Sequence, residues 1–411
     1  MTPTLSNDNY GGTQKNKVQN SLAVFSFGLF PFIIILSILY ISAVNYHFIL
    51  DVDSSLDMKT AEAISIVYAT TADTAEEEKD PTANSNSTAN APNSSARNYE
   101  NTVFGFDVEY PSAWSAFELN SKFRDNVTYA AALLRAPLDN MSDKYTERIN
   151  FNVQKLKSNN VTLDTYTSAI LDAYKNITGV KIIESSPTTL AGQPAHKVVY
   201  TDDRIQGQRL MKNQVWSVIN NSKGYVITFS SEVPKYTSYL PQVENILKSM
   251  KIAASTDNPE QEKDLTFNDP LLGIKLEYPS NWTKIQIGQQ ARSNVDLAAA
   301  FFHRENQNAS LSRIGVATQQ VPQNANLEQY TSNQLNAIKN ANATGIQDDV
   351  DRIADNPAHN AVFNLNNTKV MQKWTIKDGK AYILAYQASL DEYSKNLATF
   401  EKMADSVAIT K

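Results

Sequence analysis

The sequence predicts an α+β fold: two tandem copies of a layered domain, each an antiparallel sheet with helices packed on it, behind one N-terminal transmembrane helix. Three observations predict it. GFDVEYPSAW at 105–114 returns as GIKLEYPSNW at 273–282, further segments repeat at nearly the same spacing, and residues 22–50 carry no Lys, Arg, Asp or Glu. A chain of 411 residues suits two domains of about 150 residues with tails.

The apolar run LAVFSFGLFPFIIILSILYISAVNYHFIL would be about 44 Å long as a helix, enough for a hydrocarbon core of about 30 Å with tilt. It is about twice the length of a cleaved signal peptide's apolar region, so an uncleaved anchor is expected over 21–50. Lys15 and Lys17 precede it, and Asp51, Asp53 and Asp57 follow it. Positive charge stays inside, so residues 1–20 form a cytoplasmic tail and the rest lies outside the cell membrane. Glycosylation acceptors occur only after the span, at Asn86, Asn93, Asn126, Asn140, Asn160, Asn176, Asn220, Asn281, Asn308, Asn342 and Asn366. Small polar residues dominate 69–98, where little apolar surface is available to offset ordering entropy, and a disordered stalk is expected over 51–98.

In the echoed decapeptides Phe106, Val108 and Tyr110, or Ile274, Leu276 and Tyr278, alternate with polar residues, the period of a half-buried strand. Pro111 or Pro279 ends the strand and the turn returns Trp114 or Trp282 to the core. TLDTYTSAILDAYKN (162–176) answers to NLEQYTSNQLNAIKN (326–340), each a helix with Thr162 or Asn326 as N-cap. GQPAHKVVY (192–200) answers to DNPAHNAVF (355–363), a turn leading into a strand. Residues 215–232 pair with 373–390 as two alternating runs carrying Trp216 and Trp374, and Asp378-Gly379 marks a tight hairpin. Leu240, Val243, Ile246 and Met250 match Leu397, Phe400, Met403 and Val407 on a closing amphipathic helix. The spacing drifts from 168 to 157, as loop deletions between duplicated elements would produce. The domains are thus expected at 99–253 and 265–411, with 254–264 as linker.

The opening apolar-x-apolar-x-Tyr-Pro-x-x-Trp strand, with the helix, meander and last helix that follow, resembles the PsbP family and its Mog1-like relatives. The resemblance covers nearly all of both repeats and implies an α/β/α sandwich around an antiparallel sheet. Plant members support the oxygen-evolving centre of photosystem II, so the resemblance implies at most calcium or another divalent ion as cofactor. The anchor, the duplication and the glycosylation acceptors instead make the chain similar to a membrane-anchored, externally facing member of archaeal type.

No composition or motif names a reaction. The chain has no Cys, which excludes disulfides, thiolate metal sites and Cys nucleophiles. A net charge of −6 speaks against nucleic acid. His196 and His359 recur in Pro-Ala-His, the one repeated titratable detail worth weighing; they are the weak metal candidates, although a turn-flanking His bonded to backbone is the expected role. The carboxylates of TDDR (201–204) and QDDVD (347–351) read as turn and strand-end acids, lacking the spacing of a calcium loop. Tyr110, Pro111, Trp114, Trp216, Tyr278, Pro279, Trp282 and Trp374 are expected in the cores, so that Trp282→Ala should destabilise the second copy and spare the first. The expected function is a binding or assembly module with no catalytic activity, partnered with a protein in a membrane or envelope complex. The alternatives are an envelope hydrolase and a glycosylated structural spacer.

Overall fold

The computed structural model describes residues 95–122, 128–137, 139, 145–156, 161–203, 209–219, 223–253, 264–288, 295–303, 305 and 309–410. The expected tail 1–20, the anchor 21–50 and most of the stalk 51–98 lie outside these residues, as do linker residues 254–263. Among the described residues no helix is long and apolar enough to cross a membrane.

The first repeat runs β1 (Ala96–Asn101), β2 (Phe106–Pro111), β3 (Ser115–Lys122), β4 (Thr128–Arg135), β5 (Arg148–Lys155), α1 (Leu163–Lys175), β6 (Val180–Leu190), β7 (Gln193–Asp202), β8 (Leu210–Ile219), β9 (Lys223–Glu232), α2 (Tyr236–Ser249) and β10 (Lys251–Ile252). The second repeats that order as β11 (Asp264–Asp269), β12 (Ile274–Pro279), β13 (Thr283–Gln286), β14 (Val295–His303), β15 (Ser312–Gln320), α3 (Leu327–Asn340), β16 (Thr344–Ile353), β17 (Asn356–Leu365), β18 (Thr368–Lys377), β19 (Lys380–Ser389), α4 (Tyr393–Asp405) and β20 (Ala408–Ile409). The fold is mostly antiparallel sheet with few helices.

Two features differ from the expected pair of sandwiches. The main sheets are not separate: β13 pairs antiparallel with β3, Ile285 opposite Phe117 and Gln286 opposite Ala116, which joins both repeats into one 14-stranded sheet. Its order is β16-β17-β18-β19-β15-β14-β13-β3-β4-β5-β9-β8-β7-β6. The layers are also more strand-rich than an α/β/α sandwich. α1 lies over β6, β7 and β8, and α3 over β17, on one face. The other face carries α2 with the small sheet β1-β2-β10, and α4 with β11-β12-β20.

The repeated decapeptide builds the small sheets. Val108, Tyr110, Leu276 and Tyr278 are buried, while Glu109 and Glu277 are exposed and their backbone N–H groups donate to Ser249 and Ser406 at the ends of α2 and α4, each at 2.9 Å. Gly273 opens the second copy because its φ of +74° suits glycine and a Cβ there would meet the Thr410 carbonyl oxygen at 2.6 Å. Pro111 and Pro279 are half-buried at the strand ends, and Trp114 and Trp282 return into the two cores. The strand that precedes the decapeptide was hidden. Ala96, Arg97 and Asn98, expected in the stalk, pair with Pro111, Tyr110 and Glu109, and Asp264 of the expected linker pairs with Pro279. In ARNYEN the inward positions are Arg97, Tyr99 and Asn101, a polar set that no apolar alternation betrays.

The helices start where their caps predict. Thr162 Oγ1 accepts from the Thr165 N–H at 3.2 Å, the Thr165 hydroxyl accepts from the Thr162 N–H at 3.1 Å, and Asn326 Oδ1 accepts from the Gln329 N–H at 2.7 Å. Asp378 and Gly379, at φ of 50° and 72°, form the two-residue turn between β18 and β19.

Candidate functional site

Each repeat carries the same constellation on the face that α1 and α3 cover. His196 on β7 stands opposite Trp216 on β8, as His359 on β17 stands opposite Trp374 on β18. Both tryptophans are fully buried, and each Nε1–H donates at 2.9 Å to a helix hydroxyl, Thr167 of α1 or Thr331 of α3. The hydroxyls of Ser217 and Thr375 donate to the carbonyls of Pro194 and Pro357, each at 2.7 Å, so the Pro of Pro-Ala-His also has a repeated role. The tryptophan bonds fasten helix to sheet, and the hydroxyl–carbonyl bonds tie neighbouring strands.

The two histidines are therefore strand residues, not turn residues bonded to backbone. His196 stacks on Trp216 with centroids 5.3 Å apart, and its Nε2 lies 2.8 Å from the Ser185 hydroxyl of β6. Burial holds its imidazole below the ordinary histidine value. His359 Nε2 lies 3.5 Å from Glu328 Oε1 of α3. β7 and β17 are each second from an end of the 14-stranded sheet, which at about 4.8 Å per strand separates the histidines by roughly 50 Å. They cannot share one ion. Among the described residues no group of three His, Asp or Glu is placed to hold a metal.

The acidic segments also resolve into pairs. Asp202 meets Lys212 at 2.7 Å and Asp203 takes both Nε and Nη2 of Arg209 at 2.8 Å. Asp348, Asp349 and Asp351 are not turn acids: they lie in mid-strand on the edge strand β16, where Asp351 pairs with Lys373 at 2.8 Å. An edge strand of that charge resists pairing with another chain. A shallow cavity of about 410 Å³ opens at the other edge, lined by Gly179, Lys181, Ile183, Thr201, Asp203 and Arg209. Of the glycosylation acceptors, Asn176, Asn281, Asn342 and Asn366 are described, and all four are exposed. Asn86, Asn93, Asn126, Asn140, Asn160, Asn220 and Asn308 lie outside the described residues.

The densest buried charge lies where the repeats meet. Arg97 of β1, 2% exposed, pairs with Asp269 of β11, 1% exposed, and also donates to the backbone carbonyls of Ile287 and Ala298. Beside it Glu118 of β3 and Lys284 of β13 approach to 3.6 Å, and the Tyr278 hydroxyl donates to Glu118 at 2.8 Å. The Lys284 ammonium sits 5.3 Å from the Tyr99 ring centroid and 5.2 Å from that of Tyr278. Burial raises the Glu118 carboxyl and lowers the Lys284 ammonium, each opposed by the other's charge. None of these four charged residues stood out in the sequence. A signal existed: they fall where the copies disagree, Arg97 against Leu265, Asp269 against Asn101, Glu118 against Gln286 and Lys284 against Ala116.

No protein-family model matches the chain, and no curated protein does. Solved structures are similar to it at low scores. They include cyanobacterial PsbP (CyanoP) from Synechocystis sp. PCC 6803, at 13% identity over 40% of this chain and 95% of that one with a TM-score of 0.28. LpqN, involved in cell envelope biogenesis of Mycobacterium tuberculosis, matches at 16% identity over 37% and 91% of the two chains with a TM-score of 0.26. The T6SS immunity protein TplEi of Pseudomonas aeruginosa matches at 8% identity over 77% and 97% with a TM-score of 0.32.

Proposed function

We propose that the chain is a membrane-anchored, externally facing binding platform without catalytic activity, which holds a protein partner in a membrane or envelope complex. The anchor at 21–50 tethers it, and the repeats, read as PsbP-like domains at 99–253 and 265–411, form its working part. The observation that supports this reading is the β13–β3 pairing. With the Arg97–Asp269 and Glu118–Lys284 pairs packed behind it, that pairing fixes the repeats as one body, so a partner engaging both meets two surfaces at set spacing. Preorganisation of that kind lowers the entropy cost of binding and raises the effective concentration of the second contact. Two beads on a flexible linker would lack that advantage. The exposed Asn176, Asn281, Asn342 and Asn366 fit glycan attachment on the outward surface.

Cross-linking mass spectrometry on native membranes, with the full chain recovered through its N-terminal tail, tests the proposal. Cross-links from both Lys181 at one end of the sheet and Lys339 near the other to a single partner complex are expected. Self-links alone, from intact and abundant protein, would overturn it.

A further inference from the structure

On the face of the sheet that carries α1 and α3, one row of side chains crosses the strands at the start of the first repeat's main sheet: Ser115 of β3, Arg135 of β4, Arg148 of β5 and Ser230 of β9 are successive register partners. Two arginines thus stand directly opposite each other, with Cβ atoms about 5 Å apart, an arrangement that costs stability in a sheet. Both are half-buried. Among the described residues no carboxylate lies within ion-pair distance of either. Among those residues Arg135 Nη2 donates to the Thr146 hydroxyl, at a long 3.4 Å, and the buried Nε of Arg148 meets no acceptor. Arg148 also lies over the Tyr145 ring, 5.3 Å from its centroid, and the Tyr145 hydroxyl meets both Arg148 and Ser230, neutral contacts that leave the two positive charges facing each other.

The neighbouring charges do not resolve the repulsion. Glu147 is fully buried and belongs to the opposite face, beside Lys235. Asp202 is engaged by Lys212. The second repeat shows that the fold does not need the pair: its equivalent row is Thr283, Phe302, Arg313 and Gln387, with Phe302 where Arg135 stands. An arginine pair kept at a cost in one copy and absent from the other is placed for something that neutralises it.

We propose that Arg135 and Arg148 form an anion site that binds a phosphate dianion, free or as a monoester, between their two guanidinium groups, with the Ser115 and Ser230 hydroxyls at its flanks. Paired guanidinium forks match tetrahedral phosphate oxygens, and partial burial strengthens each charge-assisted bond. Burial and the Arg148 charge lower Arg135 to about 10, so its guanidinium stays charged at neutral pH. The site goes beyond the platform reading and stands whether or not a protein partner is found.

The test uses the full chain in detergent, in phosphate-free buffer at fixed chloride, titrated with inorganic phosphate and with glycerol 3-phosphate by calorimetry. Saturable binding to one site is expected, with R135Q and R148Q each weakening it by at least about tenfold and R313Q leaving it unchanged. Tighter binding of the monoester would identify an organic phosphate as the ligand, and tighter binding of inorganic phosphate the free anion. Thermal melting gives a second reading that a structural role would move the other way. Without phosphate R135F, which copies the second repeat, should melt higher than the parent and lose the phosphate-induced rise. Absence of saturable binding, binding indifferent to R148Q, or a lower melting point for both R135F and R148Q without phosphate would each overturn the proposal.

Discussion

Asn101 and Asp269 occupy the same turn in the two repeats and differ in one atom. Each accepts a backbone N–H three residues on through Oδ1, from Phe104 at 3.0 Å and from Leu272 at 3.2 Å. Asp269 has a second carboxylate oxygen where Asn101 has an amide nitrogen, and that oxygen takes Arg97. Asp269→Asn therefore keeps the turn and strands a buried guanidinium, which should cost about 3–5 kcal/mol. Arg97→Leu, the residue the second copy carries at 265, should recover most of that loss in the double variant. Urea denaturation of the four proteins of this cycle checks it, and an unchanged midpoint for Asp269→Asn would refute the seam. His196 gives a pH prediction. Its folded value is held below about 6.5, so the unfolded chain binds more protons between that lowered value and about 6.5, and stability falls as pH falls through this window. His196→Gln should remove that part of the slope, read as the difference between wild-type and variant melting from pH 7.5 to 5.

At the scale of elements, what the sequence declared was set by local chemistry. Thr162 caps α1 with a reciprocal pair to Thr165, so Thr162→Ala should cost about 1 kcal/mol in a denaturant titration, and loss of nothing measurable would mean that α1 is held by the sheet alone. Thr162, Asn326 and Asp378-Gly379 act through their nearest neighbours, which is why a reading of residue types located them. β1 was not visible because its inward residues are Arg97, Tyr99 and Asn101, a polar set, whereas β11 turns Leu265 and Phe267 inward and ends on Asp269; the Arg97–Asp269 pair that buries both charges spans more than 170 positions. The edge strands illustrate the same limit. β6 carries Pro187, and β16 its run of acids, each suited to an unpaired edge, yet that these strands end one shared sheet depends on the distant β13–β3 contact. The Arg135 and Arg148 pair was equally hidden, since only register brings the end of β4 against the start of β5.

For the whole molecule, duplication alone argues for two domains that melt independently, and the joined sheet argues otherwise. Trp282 is buried in the second core and stands immediately before β13, the strand that carries the sheet into the first repeat. Removing its ring should cost about 3–5 kcal/mol through the cavity it leaves. Had the repeats been independent, that loss would stay in the second copy. Because β13 also contributes Lys284 to the pair with Glu118, loosening it exposes the edge of β3 and breaks a buried charge pair of the first repeat, so the loss should reach both copies. Trp282→Ala is accordingly expected to unfold in one transition, with hydrogen exchange accelerated in β5 as well as in β19. Faster exchange confined to β19, with β5 protected as in the parent, would show two units that touch without sharing stability, and a partner would then meet two jointed surfaces instead of one fixed frame.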